Sequence, residues 1–581
     1  MKRIIFLIIG TLLVLGLVLP GCGTPTPPGP TDTRPVINIG IAGPYGMAQG
    51  KHHMYAAEMA RDELNGTNFT TDGVSINGTL HKIALTLIDT NEVIDPTGAD
   101  GLTAMNAKIG SVDFVLGGFR TEAVFVYRAP VMTAGKIFID CGAATEELTH
   151  SVVDNYALYK SWFKATPPNE IFLNDLNAKV TGMIAASVKG AAANSTWTPR
   201  VALITEAAEW TKLSRGLLVY KLSGPGYYWL VNRTGNSGLQ GLWTVSTVAE
   251  ATEMNARLAD MALAPVQPNW IITIMSGPCG VTFANRVRAY FPDAMVTGIN
   301  VEAQRTGFPG ASGGGCKNMV FLDIFPPGLN ITPTTAAFVS AFVAKTGEYP
   351  IYTAGTYDAI KSLAATMTSA ASKATATLIP AMEAWTYTGV GGKSAVYPKW
   401  DGATNGSHPY APLNGFLGTT FPASTQALNS TQVLALYPWL ATAKFSNGTA
   451  INNYTYIASQ WTMLPHTTHD LVVGDDWVYA MCSQWQDPTN SGVPANFVKV
   501  GIWPKAWYTG LPTSRAAAIA AINGGAFPPA TLAALQGAGI WDQRGWWNFN
   551  VSGVGTVNLT NWVGWLIATG QTNGTAYQNW G

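Results

Sequence analysis

The sequence predicts an α/β protein built from two doubly wound parallel-sheet lobes, and three observations lead to this prediction. Short apolar, β-branched segments alternate with segments whose apolar residues recur at helical spacing, as they do in βαβ units. This alternation runs through two consecutive series, and 581 residues are enough for two or more domains. In addition, 47% of the residues are hydrophobic, which is ample for large buried cores.

The first series begins with the strand-like segment Val36–Ala42, which ends in Gly43-Pro44. A helix is predicted over 51–64, because apolar residues recur there every three or four positions while charged residues occupy the other face. The later elements are strand 83–87, helix 98–109, strand 114–116, helix 122–134 and strand 137–139.

The second series begins with a helix over 171–189. It continues with strand 201–205, helix 213–222, strand 242–245, helix 249–262, strand 270–274, helix 281–291 and strand 294–297. Because parallel strands are joined by crossover helices, each series predicts one sheet that is covered on both faces. Two such sheets predict two lobes.

The chain carries few charges. Its 34 basic and 34 acidic residues cancel and make up 12% of the chain, about half of the usual quarter. This balance leaves no excess of cations for phosphates and excludes nucleic-acid binding as the main function. Neither a phosphate-binding loop nor a Cys-x-x-Cys pair is present, and His466, His469 and Asp470 are a weak zinc pattern. We therefore predict a protein that is not an enzyme and has no cofactor or metal.

The N-terminal segment predicts export. Two basic residues precede an apolar run over 4–19, and Leu19-Pro20-Gly21-Cys22 resembles the lipobox of prokaryotic lipoproteins. That resemblance implies a signal peptide over 1–22, lipidation of Cys22 and a Pro/Thr-rich tether over 23–35. The alternatives are that Cys22 merely lies near a peptidase site, or that the segment stays as an anchor helix.

Thirteen N-x-Ser/Thr sequons also favour an external location. Roughly five would be expected by chance, so the excess suggests a glycosylated external protein, and together with the lipobox it favours an archaeal cell surface, with a bacterial one as the alternative. Alternatively, Thr- and Asn-rich loops create sequons incidentally. Outside a cell disulfides can form, and Cys279 with Cys316 is the pair we consider.

Several motifs resemble the type I periplasmic solute-binding proteins, in particular the leucine/isoleucine/valine-binding branch that supplies ABC importers. In chain order they are IGIAGPYGMAQG, IDTNEVIDPTGA, VDFVLGGFRTEAVFVYRAPV, IDCGAATEELT, RVALITEAAEW, NWIITIMSG and FVSAFVAKTGEYPIYTAGTYDAIKSLAATM. The resemblance covers about residues 36–504. It implies two lobes that close on a ligand around three crossings, expected near 163–167, 321–327 and between 441 and 464.

On this basis we divide the chain beyond the tether into five parts. They are a first part of lobe 1 over 36–163, a first part of lobe 2 over 164–325, a lobe 1 return with an inserted loop over 326–440, a lobe 2 return over 441–505 and a Trp-rich C-terminal extension over 506–581.

In the first lobe we expect ligand contacts in loops that follow strands, because such loops lead into helix N-termini. Three loops fit: 43–50 with Tyr45, 117–121 with Gly118 and Thr121, and 141–145. The resemblance implies that Thr121 presents its hydroxyl to a ligand carboxylate, although the residue type also suits a helix cap. It implies that the third loop, with Ala143, Ala144 and Thr145, holds the head group; the threonine stands one position later than in the family. His52-His53, at the mouth of the proposed cleft, could polarise a ligand, but we expect it to be a solvated helix start.

The second lobe departs further from the family. Trp210 offers an aromatic wall, or is buried under the lobe, and Ser276 or Gly277 stands where the family has a tyrosine over the ligand. Asn300 replaces the glutamate that faces the ligand ammonium in the branched-chain members, with Glu302 two residues on. A buried ammonium needs a carboxylate, so either Glu302 substitutes or the ligand is not a simple α-amino acid.

These expectations describe a monomeric, lipid-anchored extracytoplasmic protein that delivers a small polar or amphipathic solute to an ABC permease and ATPase. The solute would be an amino acid, an amide or a related compound. Two alternatives remain open: a ligand-sensing module of the same fold, and a structural surface glycoprotein.

Overall fold

The computed structural model describes residues 31–191, 198–222, 228–231, 236–327, 331–396, 399, 468–471, 481–503, 549–551 and 555–557. The predictions for Cys22 and its signal peptide, for a crossing between 441 and 464, and for most of the C-terminal extension lie outside these residues. The described residues contain two parallel sheets in succession, each with helices on both faces. The predicted fold class is confirmed.

The first sheet has six strands in the order β2-β3-β1-β4-β5-β6. All neighbours pair in parallel except β2 and β3, which form an antiparallel hairpin. The strands are β1 (Val36–Gly43), β2 (Val74–Ile76), β3 (Thr79–Asp89), β4 (Phe114–Gly117), β5 (Phe138–Asp140) and β6 (Trp162–Lys164).

The second sheet has four parallel strands in the order β10-β9-β7-β8. These strands are β7 (Arg200–Glu206), β8 (Gly238–Val245), β9 (Trp270–Met275) and β10 (Met295–Asn300). Every residue of β9 and β10 is buried, as expected for strands with helices on both faces.

The remaining strands are antiparallel. Strand β11 (Val320–Asp323) pairs with β14 (Met481–Gln486), and β14 pairs with β15 (Val498–Trp503). Two hairpins complete the set: β12 (Thr386–Gly389) with β13 (Gly392–Ala395), and β16 (Phe549–Val551) with β17 (Gly555–Val557).

Helices connect the strands and cover the sheets. They are α1 (Ala48–Asn65), α2 (Ala99–Lys108), α3 (Thr121–Thr133), α4 (Glu146–Asp154), α5 (Tyr156–Tyr159), α6 (Glu170–Ala191), α7 (Trp210–Leu222), α8 (Tyr228–Val231), α9 (Ala251–Ala262), α10 (Cys279–Tyr290), α11 (Phe308–Ala311), α12 (Thr335–Thr346), α13 (Thr356–Ser369) and α14 (Thr375–Glu383). Among the described residues, four 3₁₀ segments lie at Ile109–Ser111, Val301–Gln304, Tyr352–Gly355 and Pro494–Asn496. Within the described ranges, no helix combines the length and apolar character that a bilayer span requires.

The strand order determines where each sheet has a crevice at the carboxyl ends of its strands. In the first sheet the chain runs from β1 outward to β3 and then to β4 on the other side of β1; in the second it runs from β7 to β8 and then to β9 on the other side of β7. At such a switch point, neighbouring loops leave in opposite directions and create a crevice at the carboxyl ends of the strands. The loops after β4 and β9 therefore belong to two crevices, one for each lobe.

The chain passes between the lobes twice within the described residues. Strand β6 belongs to the first sheet, and α6, which begins at Glu170, packs against α7 of the second lobe. After β11 the chain returns, because α13 packs against α1 and β4. These passages lie where the crossings near 163–167 and 321–327 were predicted.

One expectation about the cysteines is wrong. Cys141, Cys279, Cys316 and Cys482 are all free and buried, so the pair Cys279–Cys316 is not formed. Each thiol lies in an apolar or hydrogen-bonded interior. Burial raises the pKa of Cys141 to about 12 and so keeps it protonated.

Candidate functional site

The loops that follow β1, β4 and β5 meet at one edge of the first sheet. The Gly118 amide donates to the Ala42 carbonyl at 2.9 Å, and the Cys141 amide donates to the Gly117 carbonyl at 2.9 Å. Gly117 and Gly118 have φ values of +114° and +98°, which favour glycine. A β-carbon on Gly142 would lie 1.5 Å from the Gly118 carbonyl oxygen, so glycine is required for the two loops to approach this closely.

In the second lobe, Glu206 organises the opposing surface. It ends β7 and is fully buried. Its Oε1 accepts a hydrogen bond from the indole of Trp210 at 2.7 Å and a short one from the Ser276 hydroxyl, and its Oε2 accepts from the Gly277 amide at 3.0 Å. Glu206 thus fixes Trp210 and Ser276, which come from two different loops.

Between these two surfaces lies a cavity with about 550 Å³ of empty space, part of it open to solvent. Residues from the first lobe, the second lobe and the passages between them form its walls. They are Phe119, Arg120, Gly142, Ala144, Pro167, Leu173, Trp210, Ser276, Ile299, Val301, Gln304, Leu322, Asp323, Ile324 and Tyr352. Most of these side chains are apolar, so the cavity suits a solute with an apolar body.

Two charged residues line this cavity, and they differ in how fully their charges are paired. Asp323 is fully buried and accepts hydrogen bonds from Lys499 at 3.0 Å, Ser483 at 2.7 Å and the Phe325 amide at 3.1 Å. Arg120 is 6% exposed and uses Nε and Nη2 to bind Glu122. No hydrogen bond within the described residues uses its Nη1. The cavity therefore has apolar walls and a donor-rich region around Arg120.

The start of α3 adds further donors next to Arg120. Thr121 is the first residue of this helix, where backbone N–H groups lack intrahelical partners and the helix dipole favours an anion. Its side chain is 1% exposed, and its Oγ1 has no hydrogen-bond partner within the described residues. Just before the helix, the Arg120 amide donates to Glu92 at 2.7 Å, which holds the turn in place.

Among the sequence-predicted residues, Ala144, Trp210 and Ser276 line the cavity. Gly118 lies immediately before the lining residue Phe119, and its carbonyl accepts a hydrogen bond from His53 Nε2 at 2.9 Å. Tyr45 lies after β1, and its hydroxyl donates back to the Ile41 carbonyl. Its side chain is not part of the cavity wall.

Three further predicted residues form hydrogen bonds within the protein beside the cavity. Ala143 donates its amide to Asp140 at 3.0 Å. Thr145 caps α4 and donates its hydroxyl to Glu170 at 3.0 Å, across to the second-lobe helix. Asn300 donates to the Gly280 carbonyl at 3.2 Å, while its Oδ1 has no partner within the described residues.

Glu302 lies between Val301 and Gln304 in the 3₁₀ segment at the end of β10. It is 4% exposed. Its Oε1 accepts a hydrogen bond from Gln49 at 2.8 Å, and its Oε2 pairs with Arg305 at 2.8 Å. Both oxygens of the carboxylate are therefore engaged by the protein itself.

The expectation that His52 and His53 are solvated is wrong, because both are buried between α1 and the chain that follows α12. His52 Nδ1 accepts from the Ile351 amide at 3.1 Å, and His53 Nδ1 contacts Thr356 Oγ1 at 2.6 Å. Burial lowers the pKa of His52 to about 3 and that of His53 to about 4, so both are neutral at pH 7. His53 holds the Gly118 loop through its bond to the Gly118 carbonyl, and neither histidine lines the cavity.

No group of three or more metal-binding side chains occurs within the described part of the chain. His469 is fully buried and hydrogen-bonded to Glu383 at 2.6 Å and to the Trp162 carbonyl at 2.8 Å. Residues 310–314 match the pattern G-x-S-x-G, but Ser312 is buried and donates to the Pro309 carbonyl at 3.1 Å. Neither feature forms part of the cavity.

Sequence reasoning missed Arg120 and Tyr352, which line the cavity, and Glu206 and Gln49, which support it. Arg120 had a usable signal, since it directly precedes Thr121 in a loop already chosen for its position after a strand. Glu206 also had one, as a charged residue at the end of an otherwise apolar strand. Gln49 and Tyr352 had none, because their contacts join segments that are 210 to 304 residues apart: Gln49 contacts Ser276, Glu302 and Thr353, and Tyr352 contacts Gly142.

The fold and the cavity together define a two-lobed α/β architecture with a cleft between the lobes. No protein-family model matches the chain, and no curated protein matches it. Solved structures similar to it include the branched-chain amino acid substrate-binding protein LivJ of Streptococcus pneumoniae with isoleucine, at 19% identity, a TM-score of 0.45 and coverage of 62% of this chain and 92% of that one.

The leucine-binding protein LivK of Thermotoga maritima is similar at 14% identity and a TM-score of 0.47, with 62% and 91% of the chains covered. A solute-binding protein of an ABC transporter from Rhodopseudomonas palustris, in complex with 3,4-dihydroxybenzoic acid, is similar at 16% identity and 0.46, with 62% and 89% covered. All three are binding proteins for small molecules, and at these identities the likeness concerns the fold.

Proposed function

We propose that this chain is an extracytoplasmic solute-binding protein that captures one small amphipathic solute in the cavity between its lobes and delivers it to an ABC permease and ATPase. The observation that carries the proposal is that one cavity is lined from the switch points of both sheets. Arg120 and Phe119 come from the first lobe, and Trp210 and Ser276 come from the second. A solute held there contacts both lobes at once and favours their closed arrangement.

The chemistry of the cavity supports a solute with an apolar body and a carboxylate. Aromatic and aliphatic side chains surround the body, and Trp210 offers a flat face for a ring. Arg120 and the start of α3, with the Thr121 hydroxyl, provide donors for an anion. The amino acids, amides and related compounds expected from the sequence form the first set of compounds to test.

The binding proposal is tested by a thermal-shift screen of the full chain against amino acids, amides, short peptides and aromatic acids. We expect at least one compound to raise the melting temperature in a concentration-dependent way, since a ligand that binds only the folded state stabilises it by mass action. The Trp210→Ala variant is the control, because a compound held in the cavity stabilises it less. A screen without any stabilising compound contradicts the proposal.

We further propose that the chain is anchored through a lipid on Cys22, works as a monomer and carries glycans. Asn68 and Asn77 are exposed and suit glycan attachment, whereas Asn65 uses both amide atoms to pair with Ile83, at 2.9 Å and 2.7 Å. Intact-mass measurement of the native protein tests this part: a diacylglycerol-modified N-terminal cysteine is expected, and an unmodified N-terminus contradicts it.

The sensing alternative shares the cavity but not the transport partner. Uptake of a stabilising solute by cells that lack this chain separates the two functions. Lost uptake supports delivery to a transporter, and unchanged uptake favours a sensing module.

A further inference from the structure

The side chain of Gln49 crosses from the first lobe to the second beside the cavity. It lies in the first turn of α1 and is 1% exposed. Its Nε2 donates to the Ser276 carbonyl at 3.0 Å and to Glu302 Oε1 at 2.8 Å. The backbone carbonyl of Gln49 accepts from the Thr353 hydroxyl at 2.9 Å, which fixes the start of the side chain.

The two acceptors that Gln49 uses form the kind of pair that binds an ammonium group. One is a backbone carbonyl and the other is a carboxylate oxygen, and both belong to the second lobe next to the cavity-lining residues Ser276 and Val301. An ammonium has three donors and needs such acceptors when it leaves water. In this structure the neutral amide of Gln49 donates to both of these acceptors, the Ser276 carbonyl and Glu302 Oε1.

The other carboxylates at the second-lobe wall are also paired with protein donors, whereas Glu122 beside Arg120 in the first lobe has one oxygen without a partner within the described residues. Glu206 binds Trp210, Ser276 and the Gly277 amide. Asp323 is paired with Lys499, and the second oxygen of Glu302 is paired with Arg305. Within the described residues, every buried carboxylate beside the second-lobe wall thus has protein donors on both of its oxygens.

From this we infer that Gln49 is a specificity-determining residue that occupies the ammonium position, so that the cavity accepts apolar carboxylates without an α-ammonium group and rejects the corresponding α-amino acids. This inference rests on the proposed function of the cavity. A carboxylate is received at Arg120 and the start of α3, while an added ammonium at the second-lobe wall would displace Gln49 or meet the neutral Asn300 amide oxygen instead of a free carboxylate. Either outcome weakens binding.

The test uses pairs of compounds that differ only in the ammonium group: 3-phenylpropionate with phenylalanine, and 4-methylpentanoate with leucine. Calorimetric titration of the full wild-type chain is expected to give at least tenfold tighter binding of the carboxylate in at least one pair. Equal or tighter binding of the amino acids overturns the inference while leaving the proposed function intact. If neither member of either pair binds, the inference is also overturned, and the wider thermal-shift screen then decides the proposed function separately.

Variants test the role of the side chain itself. Gln49→Ala removes hydrogen bonds between the lobes, which affects the binding of both members of a pair equally. The ratio of the affinity for the carboxylate to the affinity for the amino acid therefore reports only the effect on the ammonium group. We expect the preference for the carboxylate to shrink at least tenfold in Gln49→Ala, and to return in Gln49→Ala with Glu302→Gln, where the freed carboxylate is gone. A ratio that does not change in Gln49→Ala overturns the assignment of Gln49.

Discussion

Replacing Thr121 by Val separates the folding role of its hydroxyl from its binding role. A buried hydroxyl without a partner costs about 1–3 kcal/mol, and the Thr121 Oγ1 has no partner within the described residues. Valine has nearly the same shape, so the ligand-free variant loses no protein hydrogen bond. We expect its free energy of unfolding to stay the same or to rise by about 1 kcal/mol. Binding of a carboxylate should weaken by about 1–2 kcal/mol, or roughly 5- to 30-fold.

Thr211→Val is the matched control. Thr211 is also 1% exposed and lies in the first turn of a helix, but its hydroxyl donates to the Glu206 carbonyl at 2.7 Å. This control should lose about 1 kcal/mol of stability. Urea denaturation of the ligand-free forms and calorimetric titration with 3-phenylpropionate measure both quantities. A Thr121→Val variant that is less stable than wild type by 1 kcal/mol or more, with unchanged affinity, refutes the reasoning.

Three other substitutions probe different parts of the account. Arg120→Met should weaken binding of 3-phenylpropionate by about 10- to 100-fold through loss of charge-assisted hydrogen bonds, as measured by titration. Gly142→Ala should cost about 1–3 kcal/mol in denaturation experiments, because its methyl group meets the Gly118 carbonyl. The wild type should be more stable than His53→Gln at neutral pH, and this difference in the free energy of unfolding should shrink by about 3 kcal/mol as the pH falls from about 6.5 to about 4. The reason is that burial lowers the pKa of native His53 to about 4. In this pH range the native imidazole stays neutral while the imidazole of the unfolded chain is protonated, which favours unfolding.

Each of these substitutions has its own control and its own contradicting result. Arg120→Lys keeps the charge and should lose less affinity than Arg120→Met; equal affinities in wild type and both variants would show that the carboxylate binds elsewhere. Gly46→Ala, at an exposed glycine with no atom within 4 Å of the added carbon, should be neutral. A stability difference between wild type and His53→Gln that is constant with pH would contradict the assignment of a neutral buried imidazole.

The sequence was sufficient to predict the two parallel sheets, because each strand is a short apolar segment and each crossover is an amphipathic helix. Helix α7 begins at Trp210, three residues before the predicted Leu213, since Glu206 binds Trp210 and Thr211 and organises the turn. Strand β6 and the antiparallel β14 and β15 were not predicted. Strand β6 is only three residues long, and β14 pairs with β11, about 160 residues earlier in the chain, so local periodicity does not reveal these strands.

Residues of the candidate site could be predicted from the sequence only where they lie in a loop that directly follows a strand. That rule led to the loops that contain Ala144, Trp210 and Ser276. It did not reveal that Glu302 is already bound by Gln49, because these residues are separated by 253 positions. From the sequence, Glu302 was a candidate partner for a ligand ammonium. The contact between Gln49 and Glu302 bears on this role, and no local sequence pattern reveals that contact.

Native mass spectrometry of the full chain, purified without unfolding and then incubated with the screening compounds, tests the central claim most directly. We predict one bound small molecule per chain, with a carboxylate and no amine, and loss of that molecule in Arg120→Met. Only the mass of the bare chain under all conditions would contradict the assignment of the cavity between the lobes as a solute-binding site.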